Sequence, residues 1–150
     1  MYNFHDATRL AILQARHEAL HLRADELTPA HLALGVLHTL GEAEVRLALP
    51  APGAFDSLCR ALGGRSEPAP VIASDIRYSE AARDAIAGAM FVAAGGAGAI
   101  LPLHLLAGIH CPQPAAGTGA TAPAPVAAVL EQAGLGASAL QALLTLPRPR

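Results

Sequence analysis

The 150-residue chain contains no lysine and no tryptophan, and all ten of its basic residues are arginine. Without lysine there can be no phosphate loop of the GxxxxGK[ST] type and no Schiff-base chemistry within these residues. Cysteine is scarce: Cys59 and Cys111 lie far apart and outside CxxC spacing. They read as reduced thiols of a cytosolic protein. Charge is also thin, at 15% of residues with a formal net charge of −2. That leaves no basic stripe for nucleic acid. The opening "MYNFHDATR" lacks the basic and apolar regions of a signal peptide. From Ala85 to Cys111 the only ionisable side chains besides cysteine are histidines, and a hydropathy window would mark a membrane span there. The Gly-rich "AAGGAGA" at 93–99 and Pro102 interrupt it, so two short buried helices meeting at a turn are expected and no membrane is implied.

What the chain does have is hydrophobic residues, at 53%, and a repeat. Shifted by 74, "FHDATRLAILQARHEA" (4–19) falls on "YSEAARDAIAGAMFVA" (78–93). Phe4 then meets Tyr78, Asp6 meets Glu80, and Ala7, Arg9, Ala11, Ile12, Ala15 and Ala19 meet identical residues. At a shift of 73, Pro29, His31, Leu32 and Gly35 of "LTPAHLALGVL" meet Pro102, His104, Leu105 and Gly108 of "ILPLHLLAGIH". Matches that keep their order along the chain point to an internal duplication.

Each copy reads as helices. Ala11, Ile12, Ala15, Ala19 and Leu22 share one face at helical spacing, with Gln14, His17, Glu18 and His21 opposite, on the solvent side. Thr28 is placed to N-cap a helix opened by Pro29; Ser79 is placed to cap the helix Glu80–Ala94, and Pro102 opens the next with Leu101 where threonine stood. Weaker helical patterns follow at 42–49, 55–62, 126–133 and 137–144. The expected organisation is one domain: repeat 1 over about 3–62, a linker at 63–75, and repeat 2 over about 76–145 with a flexible insertion at 111–125. The fold class expected is all-α, a duplicated four-helix repeat with pseudo-twofold symmetry.

Two aromatic-led first helices, each followed by a P-x-H-L helix closed by glycine, resemble the N-terminal domain of Clp-type AAA+ unfoldases, and the likeness spans Phe4 to Leu144. The resemblance implies a domain without chemistry of its own. It would receive substrates, adaptor proteins or regulatory ligands for an ATP-driven ring, and this chain resembles a free-standing copy without ATPase modules. Family members that read phosphorylated arginine carry a glutamate before each repeat histidine. Here Ala30 and Leu103 stand there, and neither offers a guanidinium the carboxylate it needs. The positions of Phe4 and Tyr78 lie, in the resembled family, near the pseudo-twofold axis where cyclic-peptide antibiotics and adaptors dock. Phe4, His5, Tyr78 and Ser79 are therefore the expected peptide-binding residues; the two aromatics read equally as hydrophobic staples of their helices. The implied partner is an apolar peptide, an adaptor, an unfoldase or its client, or a cyclic peptide, in the cytoplasm and without a cofactor.

Other motifs compete. "HEALH" at His17–His21 matches the H-E-x-x-H zinc-peptidase pattern, with two imidazoles one turn apart and Glu18 to polarise a metal-bound water. A zinc-dependent hydrolase is thus the rival from another class, although no third ligand follows at metzincin spacing. A purely structural domain is a third reading. His31 and His104 have apolar neighbours and no acidic partner in sequence, so each is expected to satisfy its ring on nearby backbone. Gly35 and Gly108 are expected to permit close helix packing. "GGAG" follows no strand and precedes no basic residue, and Cys59 has only Arg60 beside it; neither is given a function.

Overall fold

A computed structural model describes residues 3–94, 99–114 and 125–145. The architecture is all-α, with four two-residue strands that tie helix starts together. In chain order the elements are β1 (Asn3–Phe4), α1 (Asp6–His21), β2 (Glu26–Leu27), α2 (Pro29–Val45), α3 (Ala54–Ala61), β3 (Arg77–Tyr78), α4 (Glu80–Ala94), β4 (Ala99–Ile100), α5 (Pro102–His110), α6 (Pro125–Ala133) and α7 (Ala137–Thr145). Much of the expected insertion, the "GGAG" and the terminal "PRPR" lie outside the described residues.

α1 packs chiefly on α2 and α4 chiefly on α5, while α2 and α5 meet between the two pairs. Small residues set the closeness. A side chain at Gly35 would fall on the Ala11 carbonyl, and one at Gly108 on the Ala85 carbonyl, so only glycine allows either helix to approach its neighbour this tightly. Ala11 and Ala85 are themselves one repeat interval apart. Leu27, Leu32, Leu37, Ile100, Leu105 and Leu106 are fully buried in one shared core. Each such side chain is worth about 1.5–3 kcal/mol of transfer free energy.

The strands link the halves crosswise. β1 pairs in parallel with β4, and β2 in parallel with β3. The 74 and 73 shifts carry β1 onto β3 and β2 onto β4, so each ladder is converted into the other. The flanking bonds follow the same exchange: His5 N donates to the Ile100 carbonyl at 3.0 Å, and Ser79 N to the Leu27 carbonyl at 2.9 Å.

The helix starts match the expectation at Ser79, whose Oγ accepts from Ala82 N at 3.0 Å. At α2 the capping runs the other way. Thr28 N donates to His31 Nδ1 at 2.9 Å, and the Thr28 hydroxyl lies 3.1 Å from the same nitrogen. Leu101 N donates to His104 Nδ1 at 2.8 Å in the same manner. The histidine supplies the side-chain acceptor, which is why leucine can stand where a capping threonine was expected. The span Pro29–Val45 is two helices merged across a kink at Gly41, where φ is +84°. The helix expected at 42–49 therefore begins after that break and ends at Val45, with a turn following it at 46–48.

Candidate functional site

Gly41 borders an apolar hollow among the described residues. A left-handed φ interrupts α2 and carries Glu44, Val45, Leu47 and Ala48 around to form one wall. The opposite wall is the start of α5, with Leu101, Pro102, Leu103 and Leu106; Leu135 and Leu143 also line it, and His5 stands at the head of α1. The cavity volume is about 560 Å³, within the range of small-ligand and side-chain pockets. Its surface is mainly aliphatic, with Leu37 and Leu40 adding to it, and Glu44 is the one carboxylate among its lining residues. The leucines offer apolar surface to a segment that docks here, with His5, Thr39 and Glu44 as the polar side chains of the lining.

Of the four residues expected from the sequence to bind a peptide, His5 lines this pocket. Its Nδ1 accepts from Ala7 N at 3.1 Å and caps α1, which leaves Nε2 to carry the proton of the neutral ring. Phe4 and Tyr78 are half-buried against the core in separate ladders, paired with Ile100 and Leu27 respectively. Burial pushes the Tyr78 hydroxyl above the usual phenol value; Arg16 opposes the shift and Asp75 adds to it. Ser79 is spent on the α4 cap. These three are not among the lining residues of the pocket. Leu101 and Leu103, which the sequence marks only as a cap position and as the residue before a repeat histidine, also line the pocket.

His17 and Glu18 of "HEALH" do not face solvent. His17 is 5% and Glu18 3% exposed, because residues 65–72 lie over them as a strap. Glu18 Oε2 accepts from Ala69 N and from Gln14 Nε2, both at 2.7 Å. Gln14 Nε2 also donates to the Ala69 carbonyl at 3.2 Å, and Ile72 N donates to His17 Nδ1 at 3.1 Å. The linker expected merely to join the repeats therefore satisfies its backbone on the polar face of α1. His21 remains exposed. Among the described residues no three His, Cys, Asp or Glu side chains are grouped to hold a metal ion.

His31 is buried, and desolvation lowers its pKa against a smaller opposing pull from Glu18. Cys59 is fully buried; burial, then Glu18 and Asp56, push its thiol up to about 12, so it stays protonated. Cys111 is exposed and both cysteines are free. No single helix among the described residues is long and apolar enough to cross a membrane, and one bent pair, Pro125–Ala133 with Ala137–Leu144, passes by length and composition only.

Comparison with known proteins gives a fold and no family. No protein-family model and no curated protein matches the chain. A solved chain from preliminary structural investigations of a malarial protein secretion system is similar in structure, with a TM-score of 0.67 over 95% of this chain and 92% of that one. The two share 17% of residues, a likeness of fold alone.

Proposed function

We propose that this protein is a non-catalytic peptide- and protein-binding module that resembles the docking domain of Clp-type unfoldases. The halves are taken as copies of one four-helix repeat about a pseudo-twofold axis, a reading supported by the crosswise ladders and the matched Gly35 and Gly108 contacts. The observation that carries the functional reading is the aliphatic pocket of about 560 Å³ bridging α2 of the first half and α5 of the second. Leucine-lined hollows of this size accept two or three apolar side chains of a peptide. The protein acts in the cytoplasm as an adaptor, as a competitor for an unfoldase's clients, or as a sequestering protein for a cyclic peptide.

The test is fluorescence anisotropy with a labelled apolar peptide and with a labelled cyclic peptide, against wild type, Leu103→Glu and Leu40→Glu. Both leucines line the pocket and are only half-buried, so both variants are expected to fold. Saturable binding by wild type, weakened about tenfold or more by either charge, is the expected result, since a charge in an apolar contact costs over 1.4 kcal/mol. Absence of saturable binding to either probe would sink the reading.

A further inference from the structure

We propose that Glu18 and His38 form a buried proton switch that decides whether the strap at 65–72 stays closed over α1. His38 Nε2 is buried without a hydrogen-bond partner, 3.8 Å from Glu18 Oε2, and the two side chains are 2% and 4% exposed. The strap begins at Arg65, whose backbone acts on the ring by raising its pKa against the effect of burial. Because Nε2 makes no hydrogen bond to the carboxylate beside it, the neutral imidazole is assigned its proton at Nδ1, which leaves a bare lone pair at Nε2. Two acceptors, the lone pair and the carboxylate, then face each other with no proton between them.

Glu18 Oε2 is already committed. It accepts the Ala69 amide and the Gln14 side chain, and the Ala69 bond is what holds the middle of the strap. A proton on His38 Nε2 creates a second, cationic claimant for the same oxygen. A charge-assisted hydrogen bond needs about 2.7–2.9 Å. Closing the 3.8 Å gap draws the carboxylate toward α2 and away from the strap amide.

The other groups around His38 leave Glu18 as its charged partner. On α1, His17 Nδ1 accepts from Ile72 N. On α3, Cys59 keeps its proton, Asp56 is paired with Arg60 at 3.0 Å, and the Phe55 ring meets the imidazole edge-on at 6.0 Å. On α2 itself, His31 is bound to the Thr28 amide. The Arg65 and Glu67 side chains of the strap are exposed.

Thermodynamic linkage gives the same sign as the competition for Glu18. Burial lowers the His38 pKa, with Glu18 and the Arg65 backbone opposing it. A ring that is harder to protonate when covered is protonated more readily once hydrated, so acid favours the uncovered state. Opening would bare the Gln14, His17 and Glu18 row and the hollow beside Leu13 and Ile72.

Amide hydrogen exchange at Ala69, expressed as a protection factor, tests this from about pH 7.5 to about pH 5.5, across the ordinary histidine range. Wild type is expected to lose protection at Ala69 as the pH falls, and His38→Gln to show a flat profile. A flat wild-type profile, or the same loss in His38→Gln, overturns the proposal. If His38→Gln does not fold, proton NMR of wild type decides alone. The titration midpoint of the His38 ring must coincide with the loss of Ala69 protection, and a displaced midpoint overturns the switch.

Discussion

Glu18 and Ala69, 51 positions apart, are joined by a hydrogen bond of 2.7 Å from the strap amide to a carboxylate that is nearly sealed from solvent. This contact makes the polar face of α1 an internal surface. A carboxylate in such a place is tolerable only while its donors are present, because an ionised oxygen without partners in a low-dielectric interior is costly.

Removal of that carboxylate should therefore destabilise the fold by orphaning Ala69 N and by taking from Gln14 Nε2 the shorter of its two bonds. Glu18→Ala is expected to lose about 2–3 kcal/mol, and Glu18→Gln, which keeps one acceptor oxygen, distinctly less. Urea unfolding of both variants provides the measurement. Equal stability of Glu18→Ala and wild type would show that the strap does not depend on this bond.

The glycines of the two helix pairs make a paired prediction. An alanine methyl at Gly35 would press on the Ala11 carbonyl, and one at Gly108 on the Ala85 carbonyl, with backbone rather than a flexible side chain in the way. Each substitution is expected to cost about 1–3 kcal/mol, the usual range for overpacking. Comparable losses in thermal melts of the two variants would support their equivalence, whereas a neutral effect at one of them would separate the halves physically.

At the head of α2, His31 rather than Thr28 provides the acceptor for the helix-entry amide. Thr28→Ala is expected to change stability by less than about 0.5 kcal/mol, and His31→Ala to cost about 1–2 kcal/mol for the orphaned amide. The pH dependence follows from the lowered pKa of His31, caused first by burial. The unfolded ring takes its proton near pH 6.5 and the folded ring only at lower pH, so the unfolded state binds more protons in between. Stability held above about pH 6.5 should fall as the pH drops below it, and His38 contributes in the same direction. Denaturant midpoints measured across this range should decline toward acid in wild type and decline less in His31→Gln.

The repeat interval was legible in the sequence because glycine, proline and histidine at fixed spacing each have a local role, and those roles persist at His104 and Gly108. The burial of His17 and Glu18 was not. Helical periodicity sorts residues into faces, but it contains no term for a loop 51 residues away that can cover the polar one. The pocket was half legible. His5 came from the resemblance, while Leu40, Leu103 and Leu143 are ordinary core leucines in any pattern, and only the break at Gly41 leaves a space between them.

The two cysteines give a chemical check on the packing of the strap side of the molecule. Cys59 is fully buried on α3, within the field of Glu18 and Asp56, and its thiol is pushed up to about 12. Cys111 is exposed just after α5. Thiolate rather than thiol reacts with alkylating agents, so Cys59 is disfavoured both by access and by charge. Iodoacetamide at about pH 8, close to the ordinary thiol pKa, should label Cys111 in the native protein and leave Cys59 unmodified until denaturant is added. Mass spectrometry of the two cysteine-containing peptides reads the outcome directly. Native labelling of Cys59 at a rate close to that of Cys111 would mean that α3 does not seal against α2 and α6. The fields of Glu18 and Asp56 inferred at that thiol would then be wrong as well.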